Sequence, residues 1–107
     1  MIVNKKSIED IFKEIEKSDI EINNTTNWNF YFFDKEKRNI NKLGKSFLNK
    51  KENYVTFIDE MDDDYWRLKV SIKKVFTPES LYKNNLSFNY LIEDYNIELF
   101  DGWDVDV

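Results

Sequence analysis

The stretch YWRLKVSIKKVF, residues 65–76, has the most regular alternation of apolar and polar side chains in the chain. Every second residue is apolar, at Trp66, Leu68, Val70 and Ile72. The residues between them are polar or basic, at Arg67, Lys69, Ser71 and Lys73. A period of two predicts a strand with one face in the core. The preceding stretch NYVTFIDE, residues 53–60, also predicts a strand, and the short MDDD turn predicts that the two form a β-hairpin.

Three other segments have the apolar spacing of amphipathic helices, at 8–17, 35–49 and 78–94. Their apolar stripes are Ile8, Ile11, Phe12 and Ile15, then Ile40, Leu43 and Phe47, then Leu81, Phe88, Leu91, Ile92 and Tyr95. Each segment follows residues typical of a helix start. Ser7 with Asp10 predicts a capped first helix, and Asp34 is the expected N-cap of the second. Thr77 as N-cap and Pro78 in the first turn predict the start of the third.

Two further strands complete the pattern. WNFYFF, residues 28–33, is dense in aromatic residues on both faces, which favours a central strand covered on both sides. NIELF, residues 96–100, predicts the last strand, where Gly102 indicates a bulge or the end of regular pairing. A helix followed by the order β-α-β-β-α-β predicts an α+β, ferredoxin-like fold. In that fold two helices lie on one face of a four-stranded antiparallel sheet.

The composition agrees with one folded domain. The chain has 107 residues, and 17% of them are aromatic, each able to bury about 150–250 Å². We therefore expect a single domain over 1–107, with an N-terminal helix at 8–17 and a ferredoxin-like core at 28–107. The absence of Cys and His excludes disulfides and thiolate metal sites and removes the commonest general base. No signal peptide or spanning segment is apparent, so the expectation is a cytoplasmic protein without catalytic residues, cofactor, metal or membrane partner.

Negative charge is concentrated in two segments of this chain of net charge −5. Residues 59–64, DEMDDD, contain five acids, and residues 93–107 contain six acids and no base. This asymmetry indicates a partner with a basic surface, although acids can also merely solvate a turn and a tail. The expected contact residues are Asp59, Glu60, Asp62, Asp63, Asp64, Glu98, Asp104 and Asp106. A calcium loop beginning at Asp59 fails, because Asp64 and Val70 stand where Gly and Glu are required.

Arg67, Lys69 and Lys73 also raise the possibility of an RNA-binding sheet, with Tyr31 and Phe33 beside them. The stretch RLKVSIKK places Lys and Ser where an RNA-recognition sheet needs stacking aromatics, and the net charge repels phosphate. We therefore expect nucleic acid not to be the partner. The alternative for this face is that helix 8–17 packs over the two aromatics while the basic residues pair with neighbouring acids.

Three features carry a resemblance to a known family. The chain has the aromatic strand WNFYFF opening a split βαβ unit, the hairpin and helix start DEMDDDYWRLKVSIKKVFTPESL, and the terminal LFDGWDV. In these features, and in the helix before them, residues 8–107 resemble the family of the regulator of ribonuclease E activity B. The resemblance implies a small non-enzymatic protein that binds an RNA-degrading enzyme and inhibits it.

Besides an RNA-binding ferredoxin-like module and a solitary domain without an inhibitory role, two classes of inhibitor remain open from the sequence. A regulator would occlude a basic surface of a nuclease with its own acidic surface, which sets on-rate and specificity. An immunity protein that neutralises a toxin would need the same acidic face and the same small fold. The sequence leaves open the partner's identity, the oligomeric state, and whether helix 8–17 serves the core or a partner.

The terminal motif Asp101-Gly102-Trp103 is interpreted mainly as a structural device. Gly102 can adopt backbone angles that other residues resist, and Trp103 can turn its ring onto the core. Asp101 is expected to cap the resulting kink through backbone N–H groups. The acids that flank the motif are then the expected contact residues.

Overall fold

The computed structural model describes residues 4–106, and within them three helices accompany a four-stranded antiparallel sheet. The elements are α1 (Lys5–Lys17), β1 (Asn27–Asp34), α2 (Lys37–Leu48), β2 (Val55–Glu60), β3 (Trp66–Lys73), α3 (Pro78–Asp94) and β4 (Leu99–Asp106). The strands lie in the order β2-β3-β1-β4. The predicted α+β, ferredoxin-like arrangement with its leading helix is confirmed, and so is the β2–β3 hairpin.

The aromatic face of β1 is the centre of the core. Trp28, Phe30 and Phe32 are fully buried on the side of the sheet that carries the helices. Strand β1 is central, since it pairs with β3 on one side and with β4 on the other. Phe32 stacks on Phe100 of β4 at 4.9 Å between ring centroids, and Phe88 of α3 meets Phe30 edge-on at 5.0 Å. Aromatic contacts of this geometry add to the free energy of area burial and fix the helices on the sheet.

The opposite face of β1 is not covered by a helix anywhere in residues 4–106, so the prediction of a strand covered on both sides is wrong. Helix α1 lies on the helix side of the sheet, where Phe12 stacks on Trp28 at 5.8 Å. The alternative in which this helix packs over Tyr31 and Phe33 is therefore also wrong. Ile11, which the periodicity placed on the apolar stripe of α1, is exposed.

The helix starts differ in part from those expected. In α1 the N-cap is Asn4, whose Oδ1 accepts the N–H of Ser7 at 3.2 Å, so the predicted Ser7–Asp10 start lies one turn too late. In α2 the N-cap position belongs to Glu36 rather than to Asp34. The predicted start of α3 is confirmed, with a capping box between Thr77 and Ser80 and with proline in the first turn.

Strand β4 extends well beyond the predicted 96–100, and a β-bulge interrupts it. Tyr31 of β1 pairs with Gly102, whereas the next residue, Phe32, pairs with Phe100, so that Asp101 is the extra residue. Gly102 has φ = 104°, a conformation open to glycine and strained for other residues. The predicted bulge is thus confirmed.

The bulge sets the direction of the side chains that follow it. Phe100 is buried before the bulge, and Trp103 turns onto the core after it, 5.8 Å from Trp28. Asp104 and Asp106 consequently project to the side of the sheet without helices. The expected contact of Trp103 with the core is confirmed. The expected cap is not formed, since the exposed carboxylate of Asp101 makes no side-chain hydrogen bond to the kink within residues 4–106.

Replacing Gly102 by alanine should lower the free energy of unfolding by about 1–3 kcal/mol, because a Cβ is strained at this φ. Urea denaturation measures the loss. The matched control is Gly44→Ala in α2, where a Cβ would make ordinary contacts at 3.5 Å from Leu68 and 3.6 Å from Ile58. That variant should be neutral or stabilised by up to about 1 kcal/mol. Equal behaviour of the two variants would contradict the assigned role of Gly102.

Candidate partner-binding surface

The side of the sheet without helices, here called the open face, carries a mixture of apolar and charged side chains. The register places neighbouring strands in rows that share this face: Val55–Ser71–Asn29–Asp104, Phe57–Lys69–Tyr31–Gly102 and Asp59–Arg67–Phe33–Leu99. Val55 and Phe57 on the edge strand β2 are 67% and 59% exposed. The open face is therefore the largest sheet surface that the core leaves accessible.

A hydrogen-bond network occupies the end of the open face where β1 begins. The buried amide of Asn29 donates to Asp104 Oδ1 at 2.7 Å and to Asp106 Oδ1 at 3.0 Å. Its Oδ1 accepts from Ser71 Oγ at 2.6 Å and from Asn27 Nδ2 at 3.0 Å. Asn29 is thereby fully satisfied, and the two carboxylates tie β4 to β1.

Tyr31 extends this network towards the middle of the sheet. Its hydroxyl donates to Asp104 Oδ2 at 2.8 Å, and the guanidinium of Arg67 lies 5.3 Å from its ring centroid. Burial raises the pKa of Tyr31 to about 12, and the hydrogen bond to Asp104 acts in the same direction. The neutral phenol is therefore the form that the folded protein favours.

The β2–β3 hairpin carries the acidic tip, residues 59–64, at the other end of the sheet. Asp59 forms a bidentate pair with Arg67, with both N···O distances at 3.1 Å. The expected pairing of the basic residues of this strand with neighbouring acids is thus confirmed for Arg67, whereas Lys69 and Lys73 form no ion pair within residues 4–106. Asp63 and Asp64 both have φ = 63°, which bends the chain back into β3. Asp and Asn adopt this conformation more readily than most other residues.

The carboxylate of Asp34 brings the start of β4 to this same end. Asp34 is 6% exposed, and its oxygens accept the N–H of Glu98 at 3.0 Å and the N–H of Glu36 at 2.9 Å. Glu98 then lies beside Tyr65 at the end of the hairpin turn, where its proximity raises the pKa of Tyr65. Two acidic segments that are distant in sequence are thus adjacent in the structure.

Between these segments lies a hollow of about 340 Å³, here called the hairpin-end hollow. Its apolar walls are Phe33, Tyr65 and Leu99, and the carboxylates at its rim belong to Glu98 and Asp101. Of the residues around it, the sequence analysis named Glu98 as an expected contact residue and Asp101 as part of a structural motif, but it did not identify the apolar walls. These walls could be recognised only as partly exposed apolar residues beside an acidic turn. That arrangement becomes visible only when the register of the strands is known.

The expected contact residues fall into two groups. Those of the acidic tip (Asp59, Glu60, Asp62, Asp63 and Asp64) share the hairpin end with Glu98. Asp104 and Asp106 lie at the opposite end, since Asp106 pairs with Asn27 whereas Leu99 pairs with Phe33. The rows of Asn27 and Phe33 are six positions apart along β1, which corresponds to a distance of ~20 Å. A single small contact cannot use both groups.

Within residues 4–106 no group of three or more Asp or Glu residues is arranged to hold a metal ion. No helix in this range is both long and apolar enough to cross a membrane. The surface is thus described by charge, apolar area and hydrogen bonding alone.

Comparison with protein families identifies a match over most of the chain. The family model described as regulator of ribonuclease activity B matches residues 5–105. This range is nearly the whole chain and includes all four strands except Asp106, the last residue of β4. No curated protein matches the sequence.

Replacing Tyr31 by phenylalanine should lower the free energy of unfolding near neutral pH by about 1 kcal/mol through loss of the bond to Asp104. The pKa of Tyr31 is about 12 in the folded state and about 10 in the unfolded state. The contribution of the neutral phenol to the stability of the fold is therefore complete below about pH 10 and is lost as the pH rises through about 12. Wild type should therefore lose more stability than the variant between about pH 9 and about pH 11.5 in urea titrations. Equal losses would contradict this assignment.

Proposed function

Because the chain belongs to the family of the regulator of ribonuclease activity B, we propose that it regulates a ribonuclease by binding to it, without catalysing a reaction itself. The family relationship supports regulation of ribonuclease activity. The surface supports protein binding, since the hairpin end combines exposed carboxylates with accessible apolar side chains. Chemistry at this surface would have to proceed without histidine and cysteine, which the sequence lacks and which many hydrolases use as base or nucleophile.

The observation that carries the proposal is the convergence of two acidic segments on the hairpin end. The acidic tip contributes five carboxylates, of which Asp59 is neutralised by Arg67. Glu98, just before β4, and Asp101 within β4 add two more. A surface of this charge attracts a basic protein and raises its association rate.

Ribonucleases bind the RNA backbone with basic residues, because phosphate contacts dominate nucleic-acid affinity. An acidic surface that docks on such residues competes directly with RNA. We therefore propose inhibition by occlusion, in which the regulator covers part of the RNA-binding surface and leaves the catalytic groups of the ribonuclease unchanged.

The network at the other end of the open face supports a structural assignment for Asp104 and Asp106. Their oxygens already accept hydrogen bonds from Asn29, Tyr31 and Asn27. A partner's cation would have to compete with these bonds. We propose the hairpin end as the contact surface and assign the two C-terminal acids to strand pairing.

Direct RNA binding by the open face has less support. Its most favourable cation, Arg67, is held by Asp59 and lies over Tyr31, and Asp104 accepts from the same tyrosine. Lys73 shares its row of the sheet with Asp106, and Lys69 shares its row with Tyr31. Phosphate would meet a surface of mixed charge, which gives weak, salt-sensitive binding at most.

The test is a triple variant, Asp62→Asn/Asp63→Asn/Asp64→Asn, which removes three charges and keeps side chains that tolerate positive φ. The full chain is immobilised, ribonucleases of the host are captured, and cleavage of a labelled RNA by the captured enzyme is followed. We expect wild type to capture a ribonuclease and slow cleavage. The triple variant should associate about tenfold more slowly at low salt.

The matched control is Glu14→Gln/Glu16→Gln/Asp19→Asn, which removes three exposed charges on and after α1, far from the hairpin. It should behave as wild type. Equal loss in both triple variants would show a non-specific charge effect and contradict the proposed surface. Inhibition of a toxin nuclease alone would favour an immunity protein, and retention of labelled RNA by the isolated protein in filter binding would favour an RNA-binding module.

A further inference from the structure

We propose that the hairpin-end hollow is the pocket for one arginine side chain of the partner. This inference rests on the proposed function and specifies its contact. The hollow would receive the guanidinium between the Glu98 and Asp101 carboxylates, and the aliphatic part of the arginine would lie against Phe33 and Leu99. The occupant is thus a basic protein segment that presents arginine rather than lysine.

The shape and lining of the hollow support an inserted side chain. Its volume of about 340 Å³ is at the lower end of the range for pockets that hold small ligands. Leu99 is 38% exposed although it stands on a paired strand opposite Phe33. Apolar walls within a charged rim suit a side chain with an apolar stem and a charged head.

The charge at the rim is available to a partner. Asp101 is the extra residue of the bulge and is exposed, and it takes part in none of the ion pairs formed within residues 4–106. The backbone N–H of Glu98 donates to Asp34 at 3.0 Å, which holds this residue at the hollow that it lines together with Tyr65. A cation that enters the hollow meets two carboxylates without displacing an internal salt bridge.

The aromatic wall favours a guanidinium. The protein's own Lys35 lies over Tyr65, with Nζ 5.4 Å from the ring centroid, so the aromatic ring left to a partner's guanidinium in the hollow is that of Phe33. A planar guanidinium can stack on an aromatic face and also donate two parallel hydrogen bonds to a carboxylate. An ammonium group provides neither form of recognition, so the hollow should discriminate between the two cations.

The experiment compares two fluorescein-labelled peptides, nona-arginine and nona-lysine, by fluorescence anisotropy with the full chain. We expect nona-arginine to bind at least about fivefold more tightly, because stacking and bidentate bonding are added to an equal charge. Asp101→Asn and Leu99→Ser should each remove most of this preference. Equal affinity of wild type for the two peptides would overturn the proposal.

Two control variants separate the hollow from general charge and general apolar surface. Asp19→Asn removes an exposed acid elsewhere, and Val55→Ser removes an exposed apolar side chain at the other end of the open face. Both should keep the arginine preference. Loss of the preference in either control would contradict a local pocket, and urea denaturation of each variant shows that the fold is retained.

Capture of the ribonuclease by the same variants distinguishes this proposal from the proposed function. If Leu99→Ser captures the ribonuclease as wild type does while the triple variant of the acidic tip does not, the surface is right and the arginine pocket is wrong. If wild type shows the arginine preference but captures no ribonuclease, the pocket stands and the proposed function fails.

Discussion

The constraint on which the structure depends is the division of β1 into two unlike faces. One face consists of aromatic rings that pack under the helices, and the other has Asn29 and Tyr31 bonded to the carboxylate of Asp104. Because β1 pairs on both sides, this division is transmitted to β3 and β4 through their registers. The helices must therefore lie on one side, and the other side of the sheet is left to solvent and to partners.

Element order, fold class and the hairpin could be predicted, since each depends on local periodicity and on short connections. The stretch WNFYFF misled the prediction because a period-two pattern does not distinguish a buried ring from one that is held at the surface. Tyr31 belongs to the second kind, with its hydroxyl on Asp104 and Arg67 against its ring. The extension of β4 to Asp106 was missed because its outward carboxylates look like a solvated tail until Asn29 is known to bind them.

The candidate surface was predictable in charge but not in shape. The acids of residues 59–64 stand out in the sequence, whereas the position of Glu98 beside them depends on a bond from its N–H to Asp34, 64 residues earlier. The same limitation explains why Asp104 and Asp106 looked equivalent to Glu98. Carboxylates of one segment take different roles according to which side chain of β1 each meets, and only tertiary structure supplies that information.

The bulge at Asp101 has a consequence for how the end of the chain can vary. Side chains of a strand alternate between two faces, and the extra residue shifts the phase of that alternation between Phe100 and Trp103. Residue identity at 101 is therefore lightly constrained by the fold, because the extra residue has no partner on β1. Regular pairing that included Asp101 would turn Trp103 out to water and Asp104 into the core. Removal of Asp101 would instead leave Phe100, Gly102 and Trp103 opposite Phe32, Tyr31 and Phe30 in regular alternation, so the end of the strand depends on the bulge only while the extra residue is present.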